Sequence, residues 1–209
     1  MARRRAFRAR MWHFGRMSTG PKPPFSVRID RRGFLRGLGA AAAGLAASRA
    51  VVAGSGERRA LSFVHTHTGE RLSTVYYEDG AYLATALGQV NELLRDFRTE
   101  TLYPIDPGVL DRLYRLRATA GSDEAFQVIC GYRSPLTNAA LRRTSTGVAE
   151  HSLHMEGRAI DVRLPGIDTA RLALLARGQQ DGGVGYYRVS DFVHVDTGRV
   201  RVWGDELTA

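Results

Sequence analysis

Apolar and polar residues alternate along two short stretches of the chain, 61–65 and 73–77. A period of two is typical of a β-strand with one buried face. Residues 68–70 between them read Thr-Gly-Glu, a turn sequence, so the pattern predicts a β-hairpin. Further short apolar or alternating runs predict strands over 126–130, 158–164, 192–196 and 200–203.

Other segments repeat their apolar residues every three to four positions, which indicates amphipathic helices. The predicted helices are 82–98, a second that begins at Asp106 and Pro107, a third from Ser134 to about residue 142, and a fourth over 169–177 that ends at Gly178. Helices and a mostly antiparallel sheet in one chain predict the α+β class, with the helices packed to one side of the sheet. We expect residues 54–209 to form one domain, because no repeat or long linker interrupts them.

The net charge of +9 is unevenly distributed along the chain. Residues 1–53 hold 12 of the 30 Lys and Arg residues but 1 of the 21 Asp and Glu residues, so residues 54–209 carry 18 basic and 20 acidic side chains. A near-neutral folded part argues against a nucleic-acid partner, which would require a basic surface. The hydrophobic content of 44% is sufficient for a packed core.

Residues 1–53 have the character of an export leader. Arg31 and Arg32, followed by Phe34 and Leu35, resemble a twin-arginine signal, whose cargo crosses the membrane already folded. The small-residue stretch that follows is far shorter than the roughly 20 residues that span a bilayer, so we expect no stable membrane anchor after cleavage. The sequence therefore predicts a disordered basic leader with a twin-arginine signal peptide, export by the twin-arginine machinery, and a location in the periplasm or cell envelope.

Histidine is scarce, and three of the six histidines lie in two short segments, 151–162 and 191–196. Each segment includes a predicted strand whose side chains alternate between two faces. The apolar residues of each strand share one face, which leaves Asp161 and His194 on the other. If the two strands pair, Asp161 and His194 converge, and His154 can reach them from the preceding loop.

Gly157, between His154 and Asp161, permits the sharp turn that this convergence requires. Two imidazoles and one carboxylate suit a zinc ion with an open position for water, which then becomes acidic enough to attack a carbonyl. Cys130 is the one cysteine, so neither an intrachain disulfide nor a thiolate zinc cluster can form. Because it follows an apolar run, Cys130 is interpreted as a small buried core residue, with a catalytic thiol as the alternative.

Several motifs occur in the order found in a known family. They are His154-x-x-Gly157-x-Ala159-x-Asp161, Phe192-Val-His194-x-Asp196, Gly131-Tyr-Arg133-Ser-Pro and the run from Gly182 to Tyr187. Over about 59–203 the chain resembles the zinc D-alanyl-D-alanine peptidases and murein endopeptidases, which share a fold with lysostaphin-type peptidases and the hedgehog signalling domain. The subgroup that it resembles most is the exported murein endopeptidases.

The resemblance implies a Zn2+ ion held by His154, Asp161 and His194, and an endopeptidase that cuts crosslinks between peptidoglycan stem peptides. It also implies that Arg133 holds a substrate carboxylate or carbonyl, for which the fork of donors on a guanidinium is suited. Two alternatives stay open: a D,D-carboxypeptidase or dipeptidase of the same family, and a catalytically silent zinc- or peptidoglycan-binding module. We expect the mature protein to act as a monomer.

The general base has three candidates. Many relatives carry Glu three residues before the last metal histidine, and here that position holds Asp191. Asp196 shares a strand face with His194, so it can act as the base or orient that histidine. His151 is the third candidate, with stabilising the oxyanion or orienting a ligand as its alternative roles. A base has to hydrogen-bond the attacking water, and Asp191 is narrowly preferred.

His65 and His67 lie two residues apart at the first predicted strand, where they would share one face. A second metal site at this pair is one interpretation. Two polar side chains on an exposed hairpin face is the preferred one.

Overall fold

The computed structural model describes residues 56–145 and 147–206, and the predicted leader over 1–53 lies outside them. Strands and helices follow each other along this part of the chain. The strands are β1 (Arg59–His65), β2 (Arg71–Glu78), β3 (Ala81–Tyr82), β4 (Phe126–Cys130), β5 (Ala159–Arg163), β6 (Gly183–Tyr187), β7 (Phe192–Asp196) and β8 (Arg201–Gly204). The helices are α1 (Ala84–Leu93), α2 (Pro107–Ala120), α3 (Pro135–Thr144) and α4 (Thr169–Gly178), with a 3-10 turn at Leu153–Glu156 before β5.

The eight strands form one sheet in the order β3-β2-β1-β4-β5-β7-β6-β8. Five of the seven neighbouring pairs are antiparallel, whereas β1/β4 and β6/β8 are parallel. The predicted hairpin is formed by β1 and β2, and the prediction of a mostly antiparallel sheet is confirmed. Because β5 lies between β4 and β7, side chains from three adjacent strands can meet at its centre.

One face of the sheet carries the apolar core. Ile160, Val162, Val193 and Val195 are at most 1% exposed on β5 and β7, and they belong to one cluster with apolar side chains of α1, α2 and α4. The predicted α+β fold is confirmed, with these three helices sharing a core on one side. The opposite face of β5 and β7 is left for polar residues.

Three helices begin at side-chain caps. Asp106, Ser134 and Asp168 accept backbone N–H groups from the first turns of α2, α3 and α4. The first helix is shorter than predicted and ends at Leu93 rather than near residue 98. Asp96 is the physical reason, since its carboxylate accepts the N–H of Arg98 and competes with a further helical turn. Of the helices described here, none has both the length and the apolar character needed to cross a bilayer.

His65 and His67 do not share an exposed strand face, so that interpretation is wrong. His65 ends β1 and is 1% exposed, whereas His67 lies in the exposed turn that follows. Nδ1 of His65 accepts the backbone N–H groups of His67 and Thr68, and burial lowers the pKa of the His65 imidazole. His65 is therefore a neutral side chain that closes the hairpin turn.

Candidate metal centre

The polar face of the sheet carries a row of residues across five strands. Cys130 of β4 lies opposite Asp161 of β5, which lies opposite His194 of β7. Gly185 of β6 pairs with His194 on one side and with Trp203 of β8 on the other. Side chains at directly paired positions are about 5 Å apart. The predicted convergence of Asp161 and His194 through strand pairing is confirmed.

His154 reaches this row from the 3-10 turn Leu153–Glu156. Ser152 caps the turn by accepting the N–H of His154, and Gly157 ends it in the left-handed region with φ of 65°. A Cβ at Gly157 would collide with the carbonyl of Pro104, so only glycine fits there. The predicted sharp turn is confirmed, and it directs the His154 imidazole back onto the sheet.

The three predicted metal ligands offer atoms that meet at one point. Nε2 of His154 lies 3.2 Å from Oδ1 of Asp161 and 3.1 Å from Nδ1 of His194, which lies 2.9 Å from the same oxygen. All three side chains are buried, with exposures of 2%, 5% and 8% for His154, Asp161 and His194. Ligand atoms about 2.0–2.1 Å from a tetrahedral zinc ion lie about 3.3 Å from one another. The spacing of the three atoms therefore fits a metal ion of this kind.

A second hydrogen bond on each imidazole determines which nitrogen faces the cluster. Nδ1 of His154 lies 2.7 Å from the carbonyl oxygen of Gly131, which can only accept, so Nδ1 carries a proton and Nε2 is the nitrogen that faces the cluster and can bind a proton or a metal ion. Nε2 of His194 lies 3.0 Å from Oδ2 of Asp196, so its Nδ1 is the nitrogen that faces the cluster. Such outer hydrogen bonds are typical of histidines that bind metals.

The electrostatics of the cluster attract positive charge. Burial works to raise the pKa of Asp161, but the charges and hydrogen bonds of His154 and His194 outweigh it and hold that pKa well below its usual range. Burial also works to lower the pKa of His154, but the neighbouring Asp161 carboxylate raises it to about 10. Either a proton or a divalent cation can balance the negative charge of Asp161 at this position.

Cys130 lies beside the cluster rather than in the apolar core. Its Sγ is within 4.8 Å of ligand atoms of His154 and Asp161, and it accepts a hydrogen bond from Nη2 of Arg133 at 3.5 Å. Its side chain is only partly buried. The interpretation of Cys130 as a buried core residue is therefore corrected, because the last residue of β4 sits in the polar row across the sheet.

The cluster opens onto a cavity of about 410 Å³. That volume is typical of a small-ligand pocket, and the three side chains of the cluster form part of its lining. Besides His154, Asp161 and His194, the lining residues with polar side chains are Arg133, Ser145, His151, Ser152, Tyr187, Ser190, Arg201 and Trp203.

Arg133 projects into this cavity beside the cluster. Its Nη2 lies 3.8 Å from Oδ2 of Asp161, and its Nη1 donates to Oδ1 of Asn138 at 3.4 Å. Its backbone N–H donates to the carbonyl of His154 at 3.2 Å. Nε of Arg133 is buried and has no hydrogen-bond partner in the described part of the chain. A buried donor of this kind is costly unless a ligand accepts from it.

Asp96 holds the loop that carries Arg133. It is 1% exposed, and its carboxylate accepts the backbone N–H groups of Ser134 at 2.8 Å and Arg98 at 3.0 Å. Burial works to raise the pKa of Asp96, but hydrogen bonds from the side chains of Ser134 and Thr137 and from the two backbone groups lower it to about 2. The ionised carboxylate therefore fixes the start of α3 and, with it, the position of the guanidinium.

Asp196, the second candidate for the general base, has both carboxylate oxygens in use. Oδ2 accepts from Nε2 of His194 at 3.0 Å and Nη2 of Arg201 at 2.7 Å, and Oδ1 accepts from the backbone of Gly183 and Gly198. Burial works to raise the pKa of Asp196, but the hydrogen bonds from His194 and Arg201 hold it well below its usual range. Asp196 is fully buried, and its geometry is that of a residue that orients His194.

The other two candidates lie in different places. The Asp191 carboxylate accepts from Oγ1 of Thr169 at 2.9 Å and pairs with Nε of Arg163 at 3.3 Å. Those three residues line a separate hollow, so the structure does not bring Asp191 to the cluster. His151 is exposed and lines the cavity, which makes it the candidate that faces the space for substrate.

Sequence reasoning missed three residues that shape the site: Asp96, Arg112 and Trp203. Arg112 is 2% exposed on α2 and donates to backbone carbonyls of β6 and β7. The Trp203 indole lies 5.0 Å from the His194 ring and donates to the Tyr187 hydroxyl at 2.9 Å. The importance of Arg112 could have been inferred from the sequence, because this charged residue interrupts the apolar face of the second predicted helix. Asp96 and Trp203 have no such signal in the sequence, because their contacts join parts of the chain that are far apart.

Comparison with known proteins relates this site to one family. A sequence model of the family described as Peptidoglycan L,D-endopeptidase MepK matches residues 53–203. The Peptidoglycan L,D-endopeptidase MepK of Escherichia coli (strain K12) is 41% identical over 145 residues, which cover 69% of this chain and 80% of that protein. The Probable peptidoglycan L,D-endopeptidase MepK of Haemophilus influenzae is 42% identical over 146 residues, which cover 69% of this chain and 78% of that protein. The chain therefore belongs to the Peptidoglycan L,D-endopeptidase MepK family, within the zinc peptidase and murein endopeptidase group that its motifs resemble.

Proposed function

We propose that this protein hydrolyses peptide bonds in the crosslinks of peptidoglycan as a metal-dependent L,D-endopeptidase. The observation that carries the proposal is the convergence of two oriented imidazoles and one carboxylate, from His154, His194 and Asp161, at the wall of an open cavity. The relatives from Escherichia coli and Haemophilus influenzae are named for this activity. The family match over most of the chain supports the same substrate class, the peptidoglycan stem peptides.

We infer that the metal is Zn2+, held by His154, Asp161 and His194. Two nitrogen ligands, one oxygen ligand and an open fourth position are typical of catalytic zinc. When bound, zinc supplies Lewis acidity, which lowers the pKa of a bound water and polarises a carbonyl group. The protein contributes the ligand geometry: the carbonyl of Gly131 and the carboxylate of Asp196 hold the two imidazoles in the required orientation.

His151 is the side chain that we assign to proton transfer. It faces the cavity, and histidine is the residue most often used to move protons near neutral pH. It would take the proton of the attacking water and deliver it to the amine that leaves when the peptide bond breaks. We prefer it to Asp196, which is committed to His194, and to Asp191, which faces another hollow.

Arg133 is assigned to substrate binding. Its guanidinium lies in the cavity beside Asp161, and its Nε–H is buried without an acceptor among the residues described. A carboxylate or carbonyl of the stem peptide would accept from it, and the forked geometry of arginine favours such groups over a single point contact. The reacting peptide is thereby held next to the metal ligands.

We also propose that the protein acts in the periplasm or cell envelope, where peptidoglycan lies. The support is in residues 1–53, where Arg31 and Arg32 resemble a twin-arginine signal and all of the net positive charge is concentrated. The near-neutral remainder of the chain fits a secreted peptidase rather than a nucleic-acid-binding protein.

The direct test uses purified protein and muropeptide dimers joined through L,D or D,D crosslinks. We expect L,D-linked dimers to be converted to monomers in the presence of zinc, and not after treatment with a chelator. His154→Ala should lose bound zinc and reduce the rate below about one hundredth of wild type, because a metal ligand is gone. His67→Ala is the matched control, because His67 lies in the exposed β1–β2 turn, and this variant should retain the bound zinc and the wild-type rate.

Three other outcomes would indicate a different function or a different site. Shortened monomers with dimers left intact would indicate a carboxypeptidase, and binding to peptidoglycan without turnover would indicate a silent module. Unchanged zinc content and cleavage in His154→Ala would contradict the assigned site.

A further inference from the structure

The phenol of Tyr187 is a polar group of the cavity that has no role in the steps above. Tyr187 ends β6, is partly buried, and lines the same cavity as His151 and His194. Its ring stacks on Phe192 of β7 with ring centres 4.6 Å apart and an interplanar angle of 24°. The side chain therefore has little freedom to turn away from the cavity.

One hydrogen bond determines the direction of the phenolic proton. Nε1 of Trp203 lies 2.9 Å from the hydroxyl oxygen of Tyr187. An indole N–H can only donate, so the phenol oxygen is the acceptor in this bond. The O–H of Tyr187 is then left to donate elsewhere, and no acceptor for it lies within hydrogen-bond distance among residues 56–145 and 147–206.

Trp203 is itself fixed between the phenol and the metal site. A Cβ on Gly185 would lie 2.8 Å from the indole, so the absence of a side chain there lets Trp203 pack against β6. The guanidinium of Arg201 lies 4.7 Å from the centre of the indole on another side. The ring also lies 5.0 Å from His194. One indole thus separates the phenol oxygen from a proposed metal ligand.

We propose that Tyr187 donates a hydrogen bond to the oxygen of the scissile carbonyl as negative charge develops on it. This role rests on the proposed peptidase function and adds an oxyanion donor to it. The phenol keeps its proton, and no bond to Tyr187 forms or breaks. Trp203 is a positioning residue, because its N–H occupies one acceptor site of the phenol and leaves the proton directed into the cavity. A fixed donor of this kind stabilises the transition state more than the bound substrate.

The test compares Tyr187→Phe with Tyr186→Phe, the same substitution at the neighbouring position, whose ring faces the core. Tyr187→Phe should lower kcat by about a hundredfold and change KM by less than about threefold, because the donor acts on the oxyanion. Its affinity for a phosphinate peptide analogue, which presents a tetrahedral anion, should fall in the same proportion as kcat/KM. Zinc content and melting temperature should match wild type. Tyr186→Phe should leave all four quantities near wild type.

Trp203→Phe provides a second readout, because it keeps an aromatic side chain at this position of β8 and removes the N–H donor together with part of the indole that lies against Gly185. It should lower kcat by about tenfold, the effect of losing one orienting hydrogen bond. A kcat for Tyr187→Phe within about threefold of wild type, or equal phosphinate affinity in both proteins, would overturn the proposal. If wild-type protein failed to cleave dimers, the proposed function would fail instead, and the phosphinate affinities would still decide the role of Tyr187.

Discussion

The outer hydrogen bond of each histidine determines which ring nitrogen faces the candidate metal centre. His154 and His194 each use one nitrogen to donate outward, to the Gly131 carbonyl and to the Asp196 carboxylate. The second nitrogen of each ring therefore faces Asp161 and is the one that can bind a metal ion. Of the two outer partners only Asp196 is charged, and it is also held by both ends of the Arg201 guanidinium. The strength of metal binding should depend on this carboxylate although it touches no metal.

Asp196→Asn is the substitution that tests this dependence. The amide keeps the shape of the side chain but loses the charge, so His194 is held less firmly in the tautomer that binds metal. We expect zinc affinity to fall by about 10- to 100-fold, measured by competition with a chromophoric chelator. Asp191→Asn is the matched control, since its carboxylate contacts Thr169 and Arg163 outside the cavity, and its zinc affinity should equal that of wild type.

The same pair of variants separates two roles for the aspartates. If Asp191 were the general base, Asp191→Asn would bind zinc normally and lose turnover by more than about a hundredfold. We expect it to keep turnover within a few fold. Unchanged zinc affinity in Asp196→Asn would contradict the orienting role and return Asp196 to the list of candidates for the base.

At the scale of elements, the site depends on a loop that is held from a distance. The segment between β4 and α3 carries Arg133, and the turn after α1 supplies Asp96 to fix it. A carboxyl group whose pKa is lower in the folded state adds stability above its unfolded pKa and loses it as the pH falls through the folded value. For Asp96 that window runs from the ordinary value of 3.8 down to about 2.

Asp96→Asn should therefore lower the free energy of unfolding by about 2 kcal/mol at neutral pH. The difference between wild type and variant should shrink below about pH 4 and fall to a small fraction of its neutral value by about pH 2, as measured by denaturant unfolding at a series of pH values. Asp123→Asn, at an exposed position before β4, is the control and should change stability by less than about 0.5 kcal/mol. A difference for Asp96→Asn that stays constant down to pH 2 would contradict the assigned hydrogen bonding.

The elements also show which parts of the site a sequence can predict. Alternation along β5 and β7 was enough to place Asp161 and His194 on one face, because the pairing of two half-buried strands fixes which side chains meet. The turn at Gly157 had its own local signal. The anchoring of the β4–α3 loop by Asp96 had none, because that contact joins segments far apart in the chain. The sequence narrowly preferred Asp191 among three candidates for the base, and only the contacts of their side chains separate them.

At the scale of the whole molecule, function is divided between regions of the chain. One face of the sheet carries the apolar core with α1, α2 and α4, and the other carries the row from Cys130 to Trp203. The proposed metal ligands come from a turn and two strands, so they are assembled only once the sheet has formed. A route across the membrane that accepts folded cargo would let this site form before export, which is the property of the twin-arginine pathway.

Replacing both Arg31 and Arg32 by Lys tests the route, because it preserves the net charge of +9 and removes only the paired guanidinium groups. We expect the double variant to accumulate inside the cell at the size of the uncleaved chain, while wild type appears outside it at a smaller size. Arg28→Lys, just before the signal, is the charge-matched control and should be exported normally. Fractionation followed by immunoblotting measures both outcomes. Export of the double variant at the wild-type level would exclude the twin-arginine route, and zinc-dependent cleavage by the retained protein in cell extracts would show that the site forms before export.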